Sequence, residues 1–407
     1  MHGRFLDSYL EVKLMQKKYT NWIGSHQGQG MKWILLPILL LGVILLSIWL
    51  CNSALLPILS DFENNLWRPA YLLLHRLSPY NTQVQFDGLK PIWFPVIIGL
   101  FFPLGALPVQ AASNILFLFL LLTLFTIIVI SARRVATPSV IVAVTAIGLG
   151  VFPSTATHFR LGQVSLFVSL ILLILSMQYQ KMKPGLIGFL LALSLVKPQL
   201  IILYLPVFIT VLLRNGGVRK VITVISFTLF WFFVSTIPLF ILSPNWTHQF
   251  IRNLLNNPGW AYPTLYTFFR SVFHSDILPI ILALIFLLIG IVIVVFISFR
   301  VEKFEALLWS MALTPVFSPV VWSWDFVLIY PLLIYFLLDR KNKESSNVIL
   351  IGFTICLVLY ITMVQLGYAD DRYGFWVPIF LCGVMVIANK YRRKTQNTTS
   401  NLVKGEY

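Results

Sequence analysis

The chain has 407 residues, of which 58% are hydrophobic and 11% charged, with a formal net charge of +16. A soluble protein carries roughly 25% charged residues, so one or two soluble domains are excluded although the length would suit them. Nucleic-acid binding is excluded as well, because the bases fall in short clusters between apolar runs and form no basic face interleaved with aromatics.

A bilayer is the solvent that fits. There every backbone polar group must be satisfied internally, so spans are helices or closed barrels. The apolar runs have helical length, about 17–25 residues, and no strand-like alternation of about 10 residues occurs. The expected fold class is an all-α polytopic membrane protein.

In chain order, residues 1–32 are a mixed polar segment with Lys13, Lys17, Lys18 and Lys32. It is too long and irregular for a signal-peptide n-region, and Ile48, Trp49 and Leu50 are too bulky to precede a lipoprotein cysteine at Cys51. This predicts an uncleaved cytoplasmic tail and a first span at about 33–50. Residues 51–108 are expected to be a long outer loop with short helical pieces. Within it, 92–107 is apolar but broken by Pro95 and Pro103 and short for a span, which suits an interfacial or re-entrant helix. Further spans are expected at about 109–131, 138–152, 163–180, 185–196, 199–213, 219–242, 277–299, 304–317, 326–338, 347–366 and 375–389. Residues 33–389 thus form one transmembrane domain of about 12 helices, followed by a cytoplasmic tail at 390–407. Short spans are tolerated where they line a polar cavity.

Charge counting orients these spans. With the N-terminus inside, the inner segments hold 22 of the 30 Lys and Arg but 7 of the 14 acids, as the positive-inside rule requires. The outer side then collects 51–108, the loops at 153–162 and 243–276, the turn at 318–325, and Tyr368 to Trp376. His75, His158, His248 and His274 all fall there.

The outer residues supply the candidate chemistry. Asp61, in Ser60-Asp61-Phe62-Glu63, sits where the first span meets water. A carboxylate beside an apolar wall suits a general base, because burial moves its pKa toward working pH; the competing expectation is a helix N-cap. Thr157 to Gln163 places His158, Arg160 and Gln163 at an expected helix start, where free N–H groups and an arginine suit a phosphate. Lys197-Pro198 puts an ionisable group within an apolar stretch, where it is costly and reads as functional. Arg252 and Arg270 lie among the aromatics of the 243–276 loop, which suits sugar stacking and phosphate contact. Ser318 to Asp325 is a tight turn with Trp322, Trp324 and Asp325. Cys51, Cys356 and Cys382 make no metal spacing, and the outer acids form no Asp-x-Asp pair, so neither metal nor cofactor is expected.

Four stretches together resemble the polyprenol-phosphate-sugar-dependent glycosyltransferases of family 87, within the GT-C superfamily. Asp61-Phe62 with Ser78-Pro79-Tyr80 is similar to that family's first outer loop. Gly162-Gln163-Val164-Ser165 is similar to its Gly-Gln helix start, and Gly185 to Lys197-Pro198 to its Gly-rich helix ending in Lys-Pro. Ser318-Pro319 with Trp322 resembles its Ser-Pro-x-x-Trp turn, but Trp324 and Asp325 stand where relatives often carry a His pair. The resemblance implies a GT-C-type fold and a polyprenyl-phosphate-linked sugar donor, often of mannose. It also implies metal-independent inverting transfer, with Asp61 as the base. The acceptor would be a hydroxyl on a glycan, glycolipid or other molecule, reached from the lipid bilayer. The expected place is the outer face of a bacterial inner membrane. A transporter or flippase of lipid-linked glycans, a polymerase of them, and an inactive glycan-binding relative are the alternatives; no internal repeat supports transport.

Overall fold

The computed structural model describes residues 59–81, 92–134, 149–150, 152–256, 262–273, 277–338, 342–368 and 370–404. The expected N-terminal tail, the first span at 33–50, and most of the span at 138–152 lie outside them. Among the described residues every regular element is a helix.

The first rod, α1, comprises Ser60–Phe62, a π-helical stretch at Glu63–Trp67, and Arg68–Leu74. Helix α2 (Pro95–Phe101) runs into a 3₁₀ turn at Phe102–Ala106. Then come α3 (Val109–Arg134), α4 (Pro153–Leu161), α5 (Ser165–Gln178), α6 (Pro184–Ser194) and α7 (Tyr204–Leu242). These are followed by α8 (Trp246–Leu255), α9 (Leu265–Val272), α10 (Leu278–Arg300) and α11 (Lys303–Phe317). A 3₁₀ stretch at Ser323–Ile329 leads into α12 (Tyr330–Leu337), and α13 (Lys343–Gln365) and α14 (Trp376–Lys404) close the chain.

Among the described residues five helices are long and apolar enough to cross a membrane, and α4 with α5 makes a sixth if that bent pair is one span. Their outward rows are apolar: Phe230, Phe233 and Ile241 on α7, Leu288, Val292 and Phe296 on α10, Leu350, Ile351 and Val358 on α13. Rows of this size would be a liability in water and are satisfied in hydrocarbon. The protein is an integral membrane protein.

Helix α11 runs through the centre. From Phe304 to Met311 every residue is buried, with α5, α7, α10, α12 and α14 around it. Helices approach closely where a side chain is missing. A Cβ on Gly99 of α2 would stand 1.7 Å from the Ser235 carbonyl oxygen of α7. A Cβ on Gly188 of α6 would meet Phe227 of α7 at 2.5 Å. Small residues at such crossings are how helices pack when lipid is as apolar as they are.

Two loop expectations are corrected. Residues 153–162, expected as a loop, are mostly the helix α4, opened by Pro153 in its first turn. The loop expected at 243–276 carries α8 and α9. Both helices are strongly two-sided, apolar on one face and polar on the other, as elements resting on an interface are. The expected spans at 199–213 and 219–242 correspond to the two arms of α7, which part at the non-helical Gly217 (φ 66°).

Candidate functional site

The site forms at a helix break. Helix α4 ends at Gly162, whose φ of 73° lies in the left-handed region. The Gly162 amide donates to the His158 and Phe159 carbonyls, and the Gln163 amide to that of His158, the bonding of a Schellman stop. The chain then turns by 113° into α5. Gly162 is also where α1 comes nearest: a Cβ there would lie 2.8 Å from the Cβ atoms of Leu59 and Phe62. So one glycine both permits the turn and lets the Asp61 rod settle on it.

That contact sets Asp61 against Gln163. Asp61 lies in the first turn of α1 and is not its N-cap: Leu59 holds that position and no side chain caps the helix. Its Oδ2 accepts from Gln163 Nε2 at 2.5 Å. The acid is half-buried while Leu59 and Phe62 beside it are buried. Burial holds its carboxyl above the usual aspartate range, and the Lys197 charge and the Gln163 bond pull it partly back.

Behind Gln163 the chain of contacts continues inward. Gln163 Oε1 accepts from Lys197 Nζ at 2.7 Å. The same ammonium donates to Ser165 Oγ at 3.0 Å and to Asp325 Oδ1 at 2.9 Å. Ser165 Oγ in turn donates to Asp325. An ammonium has three donors, and all three are engaged. Lys197 and Asp325 therefore form a buried ion pair. The Trp93 ring lies 5.9 Å from Nζ, adding a cation–π contact. The second carboxylate oxygen of Asp325 accepts the Trp322 backbone amide at 3.0 Å, which fastens it to its own turn.

The Ser318–Asp325 turn is packed from outside by aromatics. Trp322 stacks on Trp324 with centroids 4.8 Å apart, and Tyr262 meets Trp322 edge-on at 4.8 Å. The Ser323 amide donates to Asp371 at 3.2 Å. His158 is buried, with Nδ1 3.4 Å from the Trp324 carbonyl. It sits in the last turn of α4, with the exposed Arg160 beside it, and so precedes the break rather than opening the next helix.

The fold thus brings Asp61, Gln163, Lys197 and Asp325 into one connected set, with His158 and Trp322 at its edge. Arg252 and Arg270 are exposed on α8 and α9, and among the described residues no hydrogen bond or ion pair links them to that set. Ser165 and Trp93 were not foreseen as site residues. Ser165 lay inside a motif already singled out. The Lys197–Asp325 pairing had a usable signal: two opposite charges in apolar surroundings need a partner. Among the described residues no three of His, Cys, Asp and Glu cluster as metal ligands do.

No curated protein matches the sequence. Residues 94–319, more than half of the chain, match Glycosyltransferase family 87. The matched stretch contains Gln163, Ser165 and Lys197, while Asp61 and Asp325 flank it. With its membrane-length helices and its helix break lined by polar groups, the chain belongs to glycosyltransferase family 87.

Proposed function

We propose that the protein moves a sugar, mannose or another hexose, from a polyprenyl-phosphate donor to an acceptor hydroxyl on the outer face of a bacterial inner membrane. The acceptor is a glycan, a glycolipid or another hydroxyl compound. In this reading the fold is of GT-C type, with about 12 membrane helices and the α2 segment interfacial or re-entrant. The observation that carries it is Asp61: a half-buried carboxylate at a helix break, bound to an amide, with its pKa raised by burial.

Asp61 takes the proton of the acceptor hydroxyl as that oxygen bonds to the anomeric carbon. The bond from that carbon to the donor phosphate breaks on the opposite side, and polyprenyl phosphate leaves with the electron pair. The single displacement inverts the anomeric configuration, and no metal takes part. Arg160, exposed in the last turn of α4, is assigned to the leaving phosphate, with the exposed Arg252 and Arg270 of α8 and α9 as further cations. The Trp322 ring is assigned to the sugar. An apolar groove of about 550 Å³, lined by Leu195, Pro198, Ile202, Leu205 and Val295, is assigned to the isoprenoid chain. Positioning and stabilisation of the departing phosphate would lower most of the barrier.

The test is Asp61→Asn, assayed for transfer from a labelled polyprenyl-phosphate hexose in membranes. Loss of transfer supports the assignment. Near-normal transfer by a well-expressed variant overturns it.

A further inference from the structure

Asp61 does not meet its ion-pair neighbours directly; one amide stands between them. Lys197 is donor-only, so the Gln163 atom facing it must be oxygen. An ionised Asp61 is acceptor-only, so the atom facing it must be nitrogen. The two contacts select the same orientation of the amide. Lys197 is itself held by Asp325 and Ser165, and Asp325 by Ser165 and the Trp322 amide. Without that anchorage only Asp61 itself orients the Gln163 amide, and a protonated Asp61 can then donate to the amide oxygen instead.

We propose that the buried Lys197–Asp325 pair is a positioning unit that holds the Gln163 amide with its N–H toward Asp61 and so sets that carboxyl's readiness to accept a proton. The inference rests on Asp61 being the base, and deepens that reading. It gives Asp325 a role here: the turn supplies a carboxylate, and Lys197 pairs with it. Neither Lys197 nor Asp325 needs to touch substrate in this scheme.

Among the described residues, few other charges lie on the elements packed against Asp61. On its own rod Glu63 is paired with Arg68 at 2.9 Å. From α4 come the buried His158 and the exposed Arg160. Across the break stand Lys197 and its partner Asp325. The α3 and α2 segments that pack on α1 bring no titratable side chain to this end.

The experiment reads the Asp61 proton without any sugar donor. The purified full chain is treated with dicyclohexylcarbodiimide, which couples to a protonated carboxyl. Labelling of the Asp61 peptide is followed by mass spectrometry across pH, with Asp61→Asn as the blank. In the double variant Lys197→Met/Asp325→Asn the pair is replaced by neutral side chains of similar shape, a change that buried ion pairs often tolerate. The labelling midpoint should rise by on the order of one pH unit, a roughly tenfold change in protonated fraction at fixed pH. Gln163→Leu, which leaves the ion pair in place, should raise it in the same direction. A merely structural pair predicts an unmoved midpoint in a double variant that melts like wild type, and that result overturns the proposal. If the double variant does not fold, an unmoved midpoint in Gln163→Leu overturns it equally. Failure of the base reading is seen elsewhere: a wild-type chain that transfers no sugar while the midpoints move removes the base and leaves the positioning unit standing.

Discussion

Asp61 combines two demands that pull against each other. As a carboxylate it must be ionised to accept a proton, yet its place beside Leu59 and Phe62 disfavours the charge. The sign of the linkage follows from a folded pKa raised above the ordinary 3.8. Below that value the acid is neutral in both states and costs nothing. Above it the unfolded chain ionises first, so stability is lost as pH rises toward the folded pKa and stays lost beyond it. Asp61→Asn is therefore expected to melt above wild type at neutral pH, with the difference closing toward pH 4, while transfer falls by about 10²–10⁴-fold. Thermal melts at the two pH values check the first part, and transfer rates the second; a variant less stable than wild type at neutral pH would contradict this account of the acid. Asp61, Gln163 and Lys197 were legible in the sequence because each is a polar group where apolar neighbours make it costly. That Lys197 needed a partner was legible too, but not that the partner is Asp325, 128 residues away; the packing of the Ser323–Ile329 stretch on α5 and of the Pro198–Ile201 turn on α11 brings them together.

At the scale of elements, hydropathy and charge announced the long helices, and α3, α7, α10 and α13 follow the expected apolar runs closely. What escaped was where a polar stretch becomes helix. Helix α4 has the composition of a loop, and its helicity comes from Pro153 at one end, Gly162 at the other and burial of Thr155 and His158 between them. Gly162→Ala tests how much rests on that stop. The left-handed conformation alone costs a residue with a Cβ roughly 1–2 kcal/mol, and the clash with Leu59 and Phe62 adds to it. The expected result is a lower melting temperature and a displaced α1, read as increased proteolysis near Asp61. A second element-scale contact ties α14 to the centre. Arg392 donates to Glu305 at 2.9 Å and to the Tyr335 hydroxyl at 2.6 Å, its guanidinium 4.8 Å from the Tyr335 ring centroid. Arg392→Ala leaves Glu305 buried without its counter-charge, a loss of about 3–5 kcal/mol in comparable pairs. Glu305→Gln/Arg392→Met should recover most of it, and thermal melts of the two variants give the comparison.

Over the whole molecule, the contacts between distant loops sort into two sets. One joins Asn215 to Tyr179 and Lys303, Arg214 to the Ser298 carbonyl, and Arg392 to Glu305. The other joins Ser78 to Gln249, Asn253 to the Tyr80 carbonyl, Thr264 to the Pro319 carbonyl, and Ser323 to Asp371. The first set lies at the basic clusters that charge counting assigned to the inside, the second at segments it assigned to the outside. The contacts do not say which set faces the cytoplasm, and the orientation that charge counting proposes is testable at two positions. With Cys51, Cys356 and Cys382 replaced by Ala, a single cysteine is placed at His248 on α8 or at Lys343 at the start of α13, both exposed. In intact cells a membrane-impermeant maleimide should label position 248, and position 343 should react only after the membrane is opened. The reverse pattern would put Asp61 and its helix break on the cytoplasmic side, where a donor presented at the outer leaflet could not reach them.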